Sequence, residues 1–316
     1  MARKSQMEHI NMACGYAATI GFFDGVHRGH QYLLEQLLND ASSSGMQPMV
    51  ITFNRHPREI VCPGWQPRLL TSLEHKKQLL REMGIEQLVV LPFDERMASL
   101  SARDFMHDEL RERLGVRRLL MGYDNRFGHR EKENCEGFDD YVRYGRELGI
   151  DVQCGQPLIY RGQSVCSSLI RRQLCEGRVG EAADCLGRMY ELGGLVVHGE
   201  QMGRQIGYPT ANLCCDVANQ VVPKNGVYAV RVTVGSLPSP FYGMTNIGTR
   251  PTFEGHVQTI ETHLFDFSAE IYNERLTIEF VEWLRDEQYF DSVDSLVRQM
   301  KFDAEKAKTI LFHLKL

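Results

Sequence analysis

The chain has 316 residues, enough for about two domains at roughly 150 residues each, and 43% of them are apolar, 24% charged and 9% aromatic. That balance supports sizeable buried cores and excludes disordered, collagen-like and coiled-coil chains. Thirty-six Lys and Arg against 41 Asp and Glu leave a net charge of −5, so nucleic acid gains no bulk electrostatic help and any anionic ligand must be held by a local site.

Nine cysteines, an odd number without a Cys-x-x-Cys pair, argue against a disulfide framework or a zinc knuckle and for reduced thiols in a cytoplasmic protein. Arg3 and Lys4 ahead of Met12–Phe23 loosely imitate a secretory signal. Gly15, Thr19 and Gly21 interrupt that stretch, which predicts a buried first strand instead. No run approaches the ~20 apolar residues of a membrane span, so a soluble protein is expected.

In chain order, Tyr16–Phe22 reads as a buried strand, followed by Gly-rich punctuation and a helix from about Gly29 carrying Tyr32, Leu33, Leu34, Leu37 and Leu38. Pro48–Phe53 is a strand, Leu73–Met83 a helix, Gln87–Phe93 a strand and Ala102–Leu114 an amphipathic helix. Arg118–Gly122 is a short buried strand, Gly137–Leu148 a helix, and Asp151–Gln153 opens another strand. This alternation predicts a parallel sheet covered on both faces. A connecting helix, Ser168–Gly187, marks the boundary. Beyond it, Leu192–His198, Gly226–Val234, Phe241–Ile247, Gln258–Phe265 and Leu276–Leu284 are strands separated by Gly, Pro and Asn clusters, which predicts an antiparallel sandwich or barrel. A final helix, Ser292–Phe312, carries Val293, Leu296, Val297 and Met300 on one face.

Two segments carry chemistry. In Gly21-Phe22-Phe23-Asp24-Gly25-Val26-His27-Arg28-Gly29-His30 a buried strand ends in a Gly-rich turn and a helix starts with two imidazoles three apart. Glycines let backbone N–H groups approach an anion, the helix start adds positive partial charge, and the histidines can donate to phosphoryl oxygens. Asp24 either positions a ligand or, the favoured reading, caps the following turn. In the second half, Pro209-Thr210-Ala211-Asn212 offers a hydroxyl and an amide oxygen two residues apart. Those are hard ligands suited to Mg²⁺, or else members of an Asx-type turn, and the residues alone leave both readings open. There is no Gly-x-x-x-x-Gly-Lys-Ser/Thr and no Gly-x-Ser-x-Gly, which excludes P-loop kinases and nucleophile-elbow hydrolases. His198, His263 and His313 read as structural, and Cys214 and Cys215 as one buried and one exposed strand residue.

The first segment resembles the H-x-G-H signature of nucleotidyltransferases. More specifically it is similar to the prokaryotic bifunctional riboflavin kinase/FMN adenylyltransferases, or FAD synthetases. Thr52-Phe53-Asn54-Arg55-His56-Pro57 resembles the family's second motif with Arg55 in place of a proline. Gly122-Tyr123-Asp124-Asn125-Arg126-Phe127-Gly128 resembles its third with Asn125 in place of an aromatic residue. Cys166-Ser167-Ser168-Leu169-Ile170-Arg171 resembles a Ser-Ser-Thr-Arg-Ile-Arg motif, departing at Cys166 and Leu169. Only one of that motif's two arginines is matched, because neighbouring Arg172 would point about 100° away on a helix. Gly203–Asn212, Gly226-Val227-Tyr228, Gly243–Phe253, Ile260–Phe265 and Leu284-Arg285-Asp286-Glu287 resemble the riboflavin kinase module in order and spacing.

The resemblance implies an α/β nucleotidyltransferase domain of the HUP-like type with a parallel sheet at 1–186. A riboflavin kinase domain at 187–316 would be an antiparallel β-barrel with a C-terminal helix. It implies ATP-dependent phosphorylation of riboflavin to FMN, then adenylyl transfer to FMN giving FAD and pyrophosphate. His27 and His30 would stabilise the adenylyl transition state, with Gly21, Phe22, Asp24, Gly29, Ser167, Ser168 and Arg171 on ATP. His56, Asp124, Asn125 and Arg285 would bind or position flavin. Gly203, Arg204, Tyr208 and Pro209 would hold the kinase ATP, Thr210 and Asn212 would bind Mg²⁺, and Glu261 would be the general base. Flavins and ATP are the partners expected, without nucleic acid, membrane or an obligate protein partner. Two rival readings are a kinase whose adenylyltransferase site is weakened, motivated by Leu169 and Asn125, and a flavin or nucleotide sensor without turnover. Residues 187–316 are expected to phosphorylate riboflavin alone, each domain having its own core.

Overall fold

The structure, a computed structural model, describes residues 15–129, 136–199, 202–217, 219–235, 237–238, 240–252 and 255–314. Arg3, Lys4, Met12, Cys14, Cys135 and Phe253 lie outside the described residues. The chain forms two compact units: 1–67 with 71–165, and 68–70 with 166–316.

In the first unit the strands β1 (Tyr16–Ile20), β2 (Gln47–Phe53), β3 (Gln87–Leu91), β4 (Val116–Met121) and β5 (Asp151–Cys154) form a parallel sheet in the order β3-β2-β1-β4-β5. Both faces are covered, as the continuous apolar strands require. Tyr16, Ala18, Ile20, Met49 and Ile51 pack with Phe105, Met106 and Tyr141 on one face. Ala17 and Val50 pack with Leu34, Leu37 and Leu80 on the other. The helices are α1 (Arg28–Ser44), α2 (Arg58–Val61), α3 (Leu73–Glu82), α4 (Glu95–Ser99), α5 (Ala102–Asp104) and α6 (Phe138–Leu148). The expected helix over 102–114 is only partly α: α5 runs into a π-helix at Phe105–Arg113, whose wider turn brings Phe105, Met106, Glu109 and Leu110 inward together. A small hairpin, β6 (Ile159–Tyr160) and β7 (Gln163–Ser164), escaped the sequence reading.

The second unit contains α7 (Ser167–Cys175) and α8 (Val179–Leu186), two helices where one was expected. Gly177, at φ 79°, breaks the run. Its strands β8 (Tyr190–Val197), β9 (Ala211–Cys215), β10 (Gly226–Val234), β11 (Phe241–Thr252), β12 (Gly255–Leu264) and β13 (Arg275–Arg285) close an antiparallel barrel in the order β10-β11-β12-β9-β8-β13. The short helix α9 (Met202–Gln205) precedes β9, and α10 (Val293–Phe312) ends the chain. The deepest residues of α10 are Asp303, Ala307 and Leu311, whereas Val293 on the expected apolar face is exposed. Val227, Ala229, Met244 and Leu284 receive this helix on the barrel's outer face. Cys214 is exposed and Cys215 half-buried, so neither is the expected core residue. None of the described cysteines forms a disulfide. Among the described residues no helix is long and apolar enough to cross a membrane.

Candidate active sites

Strand order in the first sheet reverses between β1 and β4, and ligands of open α/β sheets bind beyond the carboxyl ends of the strands at such a point. The His-x-Gly-His segment leaves β1 there. Its turn is strained: Phe23 (φ 53°), Gly25 (φ 82°) and Val26 (φ 38°) are all left-handed, and a β-branched residue rarely adopts that conformation. Such strain persists only where the surroundings over-determine it. Here Asp24, buried, accepts from the Thr71 amide at 3.3 Å, and the Gly25 amide donates to the Thr71 hydroxyl at 3.2 Å. Asp24 thus ties the turn to a segment 47 positions further along the chain.

His27 is the N-cap of α1, its Nδ1 accepting from the His30 amide at 3.2 Å. That bond requires an unprotonated Nδ1, so the proton of neutral His27 sits on Nε2. The two rings stack with centroids 3.6 Å apart at 16°. Burial, then the charges of His27 and Lys76, hold the His30 pKa well below the ordinary 6.5. Its Nδ1 is buried without a hydrogen-bond partner, so Nε2 is the atom left to meet a ligand. Gly29 is a close-approach glycine: a Cβ would lie 2.6 Å from the Val165 carbonyl oxygen and 3.1 Å from His27 Nδ1.

Around this turn, Phe22 meets the His56 ring edge-on at 4.8 Å, and His56 meets Trp65 at 4.7 Å. His56 Nδ1 accepts from the Arg58 amide at 3.1 Å. Asp124 is exposed. Asn125 donates to the carbonyl of Ile20, the last residue of β1, whose ladder with β4 ends at Ala18. Where the related motif carries an aromatic ring, this chain carries a polar brace across the switch point. Lys76, on α3, is a residue the sequence reading missed. It is 3% exposed, and its Nζ donates to Phe22 O at 2.8 Å, Thr52 Oγ1 at 3.2 Å and Phe53 O at 3.4 Å.

Ser167, Ser168 and Arg171 lie on the first turns of α7 in the second unit. Arg171 Nε donates to the Arg68 carbonyl at 2.6 Å, while Arg172 is exposed.

In the barrel, pairing sets Asn246 opposite Glu261 and Glu261 opposite Asn212, a cross-strand row over β11, β12 and β9. The Thr210 hydroxyl reaches Glu261 Oε2 at 3.4 Å. Gly203 is needed beside this row, because a Cβ there would meet the Tyr208 carbonyl oxygen at 2.3 Å. Two clefts meet at Thr210. One, about 310 Å³, is walled by Val227, Met244, Phe290, Leu296 and Met300 and also contains Glu261, Asn246 and Arg285. The other, about 430 Å³, is lined by Arg204, Pro209, Ser268, Glu270 and Tyr272 among others. His263, read as structural, lines the first cleft and donates from Nδ1 to the Pro209 carbonyl at 2.8 Å, which anchors the turn that carries Thr210. Arg285 is engaged: its Nε and Nη2 meet the buried Asp303 carboxylate at 2.9 and 2.8 Å, and Nη1 meets the Asp286 carbonyl at 2.9 Å. Tyr208 packs edge-on to the His263 ring at 5.1 Å. Among the described residues no three His, Cys, Asp or Glu side chains gather at one point.

A histidine-bearing, Gly-rich turn at the switch point of one unit and an oxygen-lined cleft on the barrel of the other are features of a two-unit phosphotransfer enzyme. The FAD synthetase family model matches residues 9–169 and the riboflavin kinase model residues 186–311. Curated bifunctional riboflavin kinase/FMN adenylyltransferases are similar: that of Escherichia coli K12 is 37% identical, covering 93% of this chain and 92% of its own length. The Pseudomonas fluorescens protein is 36% identical over 94% of this chain and 93% of its own. The Bacillus subtilis protein is 33% identical over 91% and 90%. A solved structure from Streptococcus pneumoniae, described as a macrolide-efflux protein, is 31% identical with a TM-score of 0.82 and 92% of each chain covered. The chain belongs to the bifunctional riboflavin kinase/FMN adenylyltransferase family.

Proposed function

We infer that this protein makes FAD in two steps, phosphorylating riboflavin with one ATP and transferring AMP from a second ATP to the resulting FMN. The observation that carries the kinase step is the gathering of Glu261, Asn246 and Thr210 in one cleft, with Asn212 paired opposite Glu261 on the neighbouring strand. The apolar cleft suits a flat isoalloxazine ring, and the more polar one the nucleotide. Glu261, half-buried on β12, takes the proton of the ribityl 5′-hydroxyl as that oxygen bonds to the γ-phosphorus and ADP leaves. Thr210 and Asn212 supply hard, neutral oxygens that would hold Mg²⁺. When bound, the ion neutralises phosphate charge. His263 holds the turn carrying Thr210, and Arg285, locked by Asp303, shapes the flavin end of the cleft.

In adenylyl transfer, an FMN phosphate oxygen bonds to the α-phosphorus and the bond to the departing pyrophosphate breaks. His27 and His30 donate from Nε2 to the α-phosphoryl oxygens as charge develops, and the helix start adds partial positive charge. Gly21, Phe22, Asp24 and Gly29 build the turn that permits this approach. Ser167, Ser168 and Arg171 hold the pyrophosphate, while His56, Asp124 and Asn125 belong to the flavin side. Gly203, Arg204, Tyr208 and Pro209 belong to the kinase nucleotide. By function the chain divides at 1–186 and 187–316; by packing it divides at Val165, with α7 and α8 in the second unit. A soluble, cytoplasmic enzyme that needs only flavins, ATP and Mg²⁺ completes the reading.

Incubation with riboflavin, ATP and Mg²⁺ followed by flavin chromatography tests it: FMN appears first, then FAD. Glu261→Gln is expected to lower FMN formation by about 10²–10⁴-fold while FAD still forms from supplied FMN. His30→Asn is expected to do the reverse. FMN as the only product would refute the adenylyl step, and an unchanged rate for Glu261→Gln would refute the base.

A further inference from the structure

Lys76 is a buried ammonium that the chemistry above does not use. It is one of two adjacent lysines on α3, yet its Nζ is enclosed by the ends of two strands. It donates to the carbonyl of Phe22, just past β1, and to the carbonyl of Phe53, the last residue of β2. It also donates to the Thr52 hydroxyl, which itself donates to Phe22 O at 3.1 Å. The same Nζ stands 4.1 Å from the centre of the Phe22 ring. Phe22 immediately precedes the left-handed Phe23, so this lattice grips the strained turn at the point where it leaves the sheet.

We propose that Lys76 is a positioning residue for adenylyl transfer, its buried ammonium clamping the carboxyl ends of β1 and β2 so that the turn presents His27 and His30 to the α-phosphoryl group. The proposal rests on reading the first unit as the adenylyltransferase. Three observations support it. The clamp joins two strand ends that open onto the crevice, where a backbone error of about 1 Å can cost a hundredfold in rate. The turn it holds carries strain at Phe23 and Val26 that only bracing maintains. The charge also faces the reacting side: burial lowers the Lys76 pKa to about 8, Asp24 opposes that shift and Lys77 adds to it, and Lys76 adds to burial and His27 in holding the His30 pKa well below its ordinary value. Lys76 therefore loses its third proton, and the clamp its charge, near pH 8.

The test uses the full chain, with FAD formation from FMN and ATP followed across pH 6.5–10 and riboflavin phosphorylation as the control within the same polypeptide. The parent is expected to lose FAD formation above about pH 8. Lys76→Met is expected to lower the turnover number for FAD about 10–100-fold with riboflavin phosphorylation unchanged. Lys76→Arg keeps its charge throughout this range and is expected to move the alkaline limb upward by more than one pH unit, whatever its rate at pH 7. It also serves if Lys76→Met does not fold. An alkaline limb in Lys76→Arg coincident with the parent's would mark a merely structural lysine and overturn the proposal, as would full FAD formation by Lys76→Met. A parent chain that makes no FAD at any pH would overturn the adenylyltransferase reading and the proposal together. Unchanged variants of an active parent overturn the proposal alone.

Discussion

Asp303 is 2% exposed, and its only described basic partner is Arg285, whose side chain is 16% exposed. Asp303→Asn keeps the shape and removes the charge, leaving a guanidinium that has lost its counter-ion in a largely dry place. Removing one partner of a buried pair costs about 3–5 kcal/mol. Arg285 retains the Asp286 carbonyl and some solvent, so the lower end, about 3 kcal/mol, applies. For a unit of this size each kcal/mol moves the unfolding midpoint by about 2–4 °C, which gives a fall of about 6–12 °C. Calorimetry of the full chain should show this in the transition of the second unit, with riboflavin KM raised and FAD formation from FMN unchanged. Arg285→Met combined with Asp303→Leu removes both charges, and should be less damaging than Asp303→Asn because no orphan charge remains. A midpoint shift below 2 °C for Asp303→Asn, or a double variant worse than the single, would refute the argument.

Two further outcomes follow from the packing. Gly29→Ala places a methyl 2.6 Å from the Val165 carbonyl oxygen and against His27, so FAD formation should fall by at least tenfold while riboflavin phosphorylation holds; equal FAD rates would show that α1 yields. A fragment 187–316 lacks α7 and α8, whose Ile170, Leu174, Val179, Ala182, Cys185 and Leu186 are buried, so it should unfold well below fragment 166–316; coincident midpoints would show these helices to be dispensable.

The architecture was largely legible because its signals are local. Buried apolar runs named β1, β2 and β4, and Gly, Pro and Asn clusters named the barrel strands. Gly177 sat in plain view, but apolar periodicity continues across it, so two helices read as one. Pro209-Thr210-Ala211-Asn212 offers turn chemistry as readily as metal ligands, and only the pairing of β9 with β12 makes Asn212 a strand residue opposite Glu261. Motif order located the histidines and Glu261. It could not show that Asn125 braces Ile20, that His263 anchors Pro209, or that Arg285 is occupied by Asp303, since each depends on a partner far away in the chain. Lys76 was the hardest case: Glu74, Lys76 and Lys77 in one short helix look like a wet surface until the strand ends close over one of them.

The second unit is assembled from two stretches of chain. Leu69 bonds Asn219 and Val221 at 2.8 Å, and Leu70, 1% exposed, accepts from Gln220, which is 150 positions later. During synthesis at about 5–20 residues per second, those leucines leave the ribosome roughly 8–30 s before their partners exist. For that interval Leu69 and Leu70 wait without the partners that bury them, so the second unit cannot close until nearly the whole first unit has been made.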